Sequence, residues 1–116
     1  MRIHHVQLMI PRGQEARARA FYGDELGLEC IPKPSDMPNP EGVWFLLGDQ
    51  QLHLGVQDGP PSPTRAHVAF EVPELDALLD ALEQAGHAVR YSNDVGGLRR
   101  AHVSDPFGNR LEIMGR

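Results

Sequence analysis

The chain has 116 residues, a formal net charge of -5 and a pI of about 5.6. This acidic balance argues against nucleic acid or an anionic membrane as the main partner, and a hydrophobic content of 41% is ordinary for a soluble globular protein. Cys30 is the only cysteine, which excludes an internal disulfide. Because no segment has the length of a membrane span and the N-terminus lacks the apolar core of a signal peptide, we expect a cytoplasmic protein.

The first half of the chain predicts one strand, one helix and three further strands. Residues 3–10 alternate between apolar and polar side chains, which is typical of a half-buried strand. A helix is predicted over residues 14–26, with Gly27 as its C-terminal cap. The remaining segments are a strand at 28–31, a proline-rich surface loop at 32–40, and strands at 43–47 and 50–56. For Trp44, on the opposite face from Val43, we expect packing in the core or at a dimer interface.

The second half repeats that order after a linker. Residues 57–65 are rich in proline and glycine, which is typical of a connection between structural units. The following elements are a strand at 66–72, a helix ending at Gly86, a strand at 88–91, a loop at 92–97, and strands at 98–104 and 109–114. The order βαβββ therefore occurs twice, and internal duplication explains it best. We predict an α+β fold, a single domain made of two modules, 1–56 and 66–116.

The first strands of the two halves are similar in detail. Both read His-Val, then three residues, then a β-branched residue and a proline, starting at His5 and at His67. Alternation places both histidines on the face opposite the helix, together with His53 and Glu112 in the last strand of each module. If first and last strands lie side by side, all four side chains gather. Three imidazoles and one carboxylate suit a divalent transition metal such as Zn, Ni, Mn, Co or Fe(II), and two histidines with one carboxylate already form a complete site.

Other polar residues share this face of the predicted sheets. His102 is a candidate acid–base group, and the alternative for it is a plain surface position. Gln7, Arg100 and Arg110 are candidates for contacting a substrate, because an arginine can hold a carboxylate or phosphate through its planar fork. The alternative for the arginines is a solvated surface charge.

Three motifs make the chain similar to the vicinal oxygen chelate superfamily, which includes glyoxalase I, extradiol dioxygenases, fosfomycin-resistance thiol transferases and bleomycin-binding proteins. They are His4-His5-Val6-Gln7-Leu8, Ala66-His67-Val68-Ala69-Phe70 and Asp105-Pro106-Phe107-Gly108-Asn109-Arg110-Leu111-Glu112. The resemblance implies a cupped, mostly antiparallel eight-stranded sheet with helices outside, a divalent metal, and commonly a homodimer. The superfamily's metal positions fall on His5, His67 and Glu112, and the fourth falls on His53, where glyoxalase I has a glutamate.

Three functions remain open from the sequence. The first is a metal-dependent enzyme that binds neighbouring oxygens of a small substrate, with lyase, isomerase or dioxygenase chemistry and with Glu112 or His102 serving the proton transfers. The second is a metal-free protein that sequesters a drug or metabolite, as the bleomycin binders do. The third is an interaction module with a vestigial cleft. The four candidate ligands favour the enzyme.

Overall fold

The computed structural model describes residues 1–116 and forms two tandem βαβββ units, which confirms the predicted order of elements. The first unit contains β1 (His5–Pro11), α1 (Glu15–Ala18) continuing as a π-helix (Arg19–Glu25), β2 (Cys30–Ile31), β3 (Val43–Leu47) and β4 (Gln50–Gln57). The second contains β5 (Val68–Glu71), α2 (Leu75–Gln84), β6 (Arg90–Val95), β7 (Leu98–Ser104) and β8 (Arg110–Gly115). None of the helices has the length and apolar character needed to cross a membrane.

The chain divides into two compact units, Met1–Pro61 and Ser62–Arg116, and this boundary falls inside the predicted linker 57–65. The strands form two four-stranded sheets, one in each unit, which agrees with the predicted α+β fold of two tandem βαβββ modules. The single-domain organisation stays a prediction.

In the first unit, the strand order is β1-β4-β3-β2. The first and last strands lie side by side, as expected, and they pair in parallel, whereas the other two pairs are antiparallel. The helical segment widens to a π-helix, in which the Leu26 N–H donates to the Phe21 carbonyl at 2.9 Å. Phe21 and Tyr22 are both fully buried there, in an edge-to-face contact at 4.9 Å, and the segment ends at Gly27 with φ +81° as predicted.

The second unit repeats this topology with the strand order β5-β8-β7-β6. Helix α2 contacts β8 and buries three leucines, Leu75, Leu79 and Leu82, along one face. The helix ends in a Schellman motif, because the Gly86 N–H donates to the Glu83 carbonyl and the His87 N–H to the Leu82 carbonyl, each at 3.0 Å. Gly86, at φ +94°, thus ends the helix as the sequence predicts.

One strand differs from the sequence prediction in a way that changes the site. The sequence predicts a strand at 88–91 and a loop at 92–97, but β6 covers Arg90–Val95. Its ladder with β7 continues through Ser92 and resumes at Val95 after an irregularity. Asn93 and Asp94 have poor strand propensity, so the sequence suggests a loop, whereas pairing with β7 keeps the backbone extended. Ser92 consequently lies opposite Arg100 in the sheet.

The closing motif Asp105-Pro106-Phe107-Gly108-Asn109 forms the turn between β7 and β8, and Asp105 holds it together. The Asp105 side chain is buried, and its Oδ1 accepts the backbone N–H groups of Phe107 at 2.9 Å and Asn109 at 2.7 Å. Its Oδ2 accepts the Asn109 Nδ2–H at 2.8 Å. A buried carboxylate with several donors is stable where it lies, and this turn fixes the register in which β8 pairs with β7.

We expect Asp105→Ala to lower the free energy of unfolding by about 2–4 kcal/mol, because the substitution leaves buried donors without an acceptor. Urea unfolding followed by circular dichroism measures the change. The matched control is Asp49→Ala in the turn between β3 and β4, where Asp49 is 84% exposed and pairs only with Arg2, so a change below about 0.5 kcal/mol is expected. Equal losses in the two variants would contradict the role assigned to Asp105.

Candidate metal centre

Glu112 lies at the middle of β8, the strand that has neighbours on both sides in the second unit. Its partner on β7 is His102, and its partner on β5 is Ala69, two residues after His67. Side chains of cross-strand partners, and of residues two apart on one strand, lie on the same face of a sheet. The pairing therefore brings His67, His102 and Glu112 together, and they are the one group of three potential metal-ligating side chains in the chain.

The ligand atoms of this cluster are close to one another. Glu112 Oε2 is 3.0 Å from His67 Nε2 and 3.9 Å from His102 Nε2, and all three ligand atoms lie within 4.8 Å of one another. Ligands of a transition metal at about 2.0–2.2 Å from the ion are themselves separated by roughly 3–3.5 Å. Glu112 and His102 are buried, whereas the His67 side chain is 33% exposed. The cluster is thus compact and reachable from one side.

Both histidines have their other ring nitrogen occupied. His67 Nδ1 lies 2.9 Å from the Arg65 carbonyl oxygen, and His102 Nδ1 lies 2.9 Å from Ser92 Oγ. The Arg65 carbonyl can only accept, so His67 Nδ1 carries a proton. His67 Nε2 faces a carboxylate oxygen of Glu112, an arrangement that a proton or a metal cation between the two atoms makes favourable. Histidine ligands of metals are commonly oriented by such a second contact, so these residues fit a divalent metal.

Arg100 keeps the buried carboxylate of Glu112 ionised. Burial by itself would raise the pKa of Glu112, but hydrogen bonds from Arg100 and His67 outweigh it, and the pKa lies below its ordinary value. Arg100 Nη1 donates to Glu112 Oε1 at 3.1 Å, and its Nε donates to the Asn93 carbonyl at 2.8 Å. Oε1 is therefore taken by the guanidinium, and Oε2 is left for the two histidines.

His102 is held in its neutral form. Burial lowers its pKa below the ordinary value, and the nearby charges of Arg110, Arg90 and Arg100 lower it further, against an opposing effect of Glu112. A neutral imidazole is the form that can ligate a metal or accept a proton.

In the first unit, the polar face of the sheet carries a stack of three aromatic rings. The His53 ring lies 3.9 Å from the Trp44 ring at an interplanar angle of 1°, and 4.1 Å from the His5 ring at 16°. His53 Nε2 is 2.8 Å from Gln51 Oε1, and His5 Nδ1 is 3.0 Å from His4 Nδ1. His53 is buried, and burial together with the positive charges of His5, His4 and Lys33 lowers its pKa to about 4.

A cleft of about 400 Å³ opens beside this stack within the first unit. Its lining includes Gln7, Met9, Trp44 and the ring of His5. The proline-rich loop 32–40 also contributes Lys33, Met37 and Asn39 to this lining. Lys33 Nζ donates to the carbonyls of Asn39, at 2.8 Å, and Glu41, which closes the loop on itself.

The structure groups the predicted site residues by unit. His67, His102, Glu112 and Arg100 form the cluster of the second unit, and Arg110 lies on the same sheet face there. His5, His53 and Gln7 belong to the first unit. A single site formed by His5, His53, His67 and Glu112 stays a prediction.

Two residues that contribute to these sites were not among the predicted site residues. Trp44 is the direct β3 partner of His53, so the same alternation that selected His53 could have selected it. Trp44 stacks on His53 and lines the cleft instead of packing in the core, and packing at a dimer interface stays a prediction. Ser92 orients His102, and the prediction of a loop at 92–97 hid this role, because a loop residue has no defined face.

We expect the His53 ring of metal-free protein to titrate near pH 4. The unfolded chain, with a histidine pKa near 6.5, binds more protons than the folded chain between these values, so the free energy of unfolding rises with pH from about 4 to 6.5. NMR of the ring and fluorescence of Trp44, the only tryptophan, follow the titration. His53→Gln should weaken the pH dependence of stability in this window. A midpoint near 6.5 would contradict the burial of a neutral ring.

The chain has clear relatives among known proteins. The family described as the Glyoxalase/Bleomycin resistance protein/Dioxygenase superfamily matches residues 2–113. A glyoxalase family protein from Bacillus anthracis is 41% identical, with a TM-score of 0.91 over 100% of this chain and 95% of that chain. The lactoylglutathione lyase of Agrobacterium tumefaciens is 25% identical, with a TM-score of 0.75 over 98% of this chain and 92% of that one.

A genomically encoded fosfomycin resistance protein from Listeria monocytogenes shares the fold at 18% identity, with a TM-score of 0.78 over 100% of this chain and 93% of that chain. No curated protein sequence matches the chain. The matched family spans nearly the whole sequence and agrees with the tandem βαβββ topology. The chain belongs to the glyoxalase/bleomycin resistance protein/dioxygenase superfamily.

Proposed function

We propose that the chain is a metal-dependent enzyme acting on a small molecule, with its divalent metal held by His67, His102 and Glu112. The observation that carries this proposal is the direction of the ring nitrogens: both Nε2 atoms face the Glu112 carboxylate, while Nδ1 of each ring is engaged by Arg65 or Ser92. Two imidazoles and one carboxylate form a donor set that Zn, Ni, Mn, Co and Fe(II) all accept. Family membership supports the same reading.

When bound, such a metal acts as a Lewis acid that stabilises negative charge on substrate oxygens. The surrounding residues prepare the site for this chemistry. Arg100 holds Oε1 of Glu112 and keeps the carboxylate anionic, and Ser92 fixes the ring of His102. Burial of Glu112 and His102 excludes water on their side of the site, whereas the exposure of His67 leaves the other side open to a substrate. We favour lyase or isomerase chemistry because a lactoylglutathione lyase is among the relatives, and dioxygenase chemistry is the alternative if the metal is iron.

A second candidate function is sequestration of a small molecule without a metal. The cleft of the first unit favours it, because about 400 Å³ lined by Trp44, Met9 and Met37 suits a planar or apolar ligand. This function does not require the His67–Glu112 cluster. The homodimer that the family resemblance implies is compatible with both functions and is part of the proposal.

We expect protein purified without chelator or affinity-tag metal to contain close to one transition metal per chain, and His67→Ala to lose it, because two ligands retain a metal far less well than three. Elemental analysis before and after dialysis against Zn, Ni, Mn and Fe(II) measures the content. His87→Ala is the matched control, since His87 lies outside the cluster and should keep the metal. If the unmodified protein holds no metal, even after dialysis, the enzymatic proposal fails and the sequestering function is favoured.

A variant of His102 can distinguish whether this residue ligates the metal or transfers protons. As a third ligand, His102→Gln should lower metal affinity by at least about tenfold, a loss that calorimetry detects without any substrate. If His102 instead serves as the acid–base group, the variant keeps its metal and loses turnover. Turnover is measured first with the substrate of the lactoylglutathione lyase relative. Unchanged affinity together with unchanged turnover would exclude both roles.

A further inference from the structure

A second cavity, of about 350 Å³, opens on the same sheet face as the His67–His102–Glu112 cluster. Its polar lining consists of Thr64, Arg90, His102, Ser104 and Arg110. No aspartate or glutamate lines it, although acidic residues outnumber lysine and arginine in the chain by 16 to 11. The cavity therefore combines two guanidinium groups with two hydroxyls and has no negative charge of its own, which is a composition suited to an anion.

The strand register explains how these residues meet. Arg90, His102 and Glu112 are successive partners across β6, β7 and β8, and Ser104 pairs with Arg110 in the neighbouring row. Residues two apart on a strand share a face, so the Ser104–Arg110 row lies beside the row that contains His102 and Glu112. The cavity begins at His102 and extends from the candidate metal centre toward the end of β7.

Arg110 carries the one buried side-chain polar atom of the chain that lacks a partner. Its Nε is buried and has no hydrogen-bond partner. Two other arginines of the second unit are paired with carboxylates, Arg99 with Asp76 at 2.8 Å and Arg100 with Glu112 at 3.1 Å. A buried N–H of a charged group is costly when it has no acceptor, so most such groups in native proteins have one. The Arg110 guanidinium also has no carboxylate partner, so an anion in the cavity would supply the opposite charge.

We propose that this cavity binds an oxyanion, a carboxylate or phosphate group of a small acid, with Arg110 and Arg90 as the charged contacts and Ser104 and Thr64 as hydroxyl donors. Guanidinium groups match the planar geometry of these anions, and hydroxyls satisfy the remaining oxygen lone pairs. The identification of the anion as part of the substrate rests on the proposed function. Bound in this way, the acid presents the rest of its structure along the sheet toward His102 and Glu112.

The test uses protein stripped of metal and then dialysed free of chelator, because a chelator is itself a polyanion. Inorganic phosphate and malonate are titrated separately, at constant ionic strength set by chloride, while ¹H–¹⁵N NMR follows the backbone amides. We expect saturable shifts centred on Ser104 and Arg110, and binding about tenfold weaker in Arg110→Gln. Arg110→Lys should bind with intermediate strength because it keeps the charge and loses the planar fork.

Arg99→Gln is the matched control, because Arg99 lies on β7, the strand of His102 and Ser104, with its side chain paired to Asp76 on the opposite face. It should bind both anions as the unmodified protein does. Arg90→Gln, at an exposed position, provides a second test if Arg110→Gln fails to fold, and it too should weaken binding. Equally weakened anion binding in Arg99→Gln, or chemical shift changes spread evenly over the surface, would contradict anion binding in this cavity. The metal titration described above is independent of this result, so the two proposals can fail separately.

Discussion

Each unit depends on the pairing of a central strand with neighbours on both sides. β8 pairs in parallel with β5 and antiparallel with β7, and β4 pairs in the same way with β1 and β3. A strand paired on both edges has its backbone groups satisfied and its side chains fixed in direction, with alternate residues on each face. The middle residue of the polar face, His53 in β4 and Glu112 in β8, is consequently buried in both units. The polar cluster of the second unit and the aromatic stack of the first unit are each built around that residue.

The two units stabilise this buried polar residue in different ways. Glu112 is charged, and a buried charge is tolerated when it is paired, which explains the hydrogen bonds from Arg100 and His67. His53 can lose its charge, and its low pKa shows that it does so, which allows close stacking between Trp44 and His5. The duplicated topology thus supports an ionised polar site in one unit and a neutral aromatic cleft in the other.

Family membership fixes the fold and leaves the reaction to particular side chains, because one fold supports many functions. In this chain the distinguishing residues lie on one face of the second sheet. Ser92 and Arg65 orient two imidazoles, Arg100 fixes a carboxylate, and Arg90 and Arg110 face a cavity without acidic residues. That face combines a candidate metal centre with positive charge beside it, which is the arrangement expected for a small acidic substrate.

The sequence by itself determined the duplicated βαβββ order, the two glycine helix ends and the pairing of His67 with Glu112, because alternation and turn residues are local signals that a repeat reinforces. Strand alternation alone also indicated His102, Arg100 and Arg110 as candidate site residues on the polar face. Only the tertiary structure decided that Ser92 belongs to a strand and orients His102, that Trp44 stacks on His53, and that Arg110 Nε is buried without a partner. These features depend on cross-strand register and on the packing of side chains from distant segments, and neither is encoded in the pattern of any one segment.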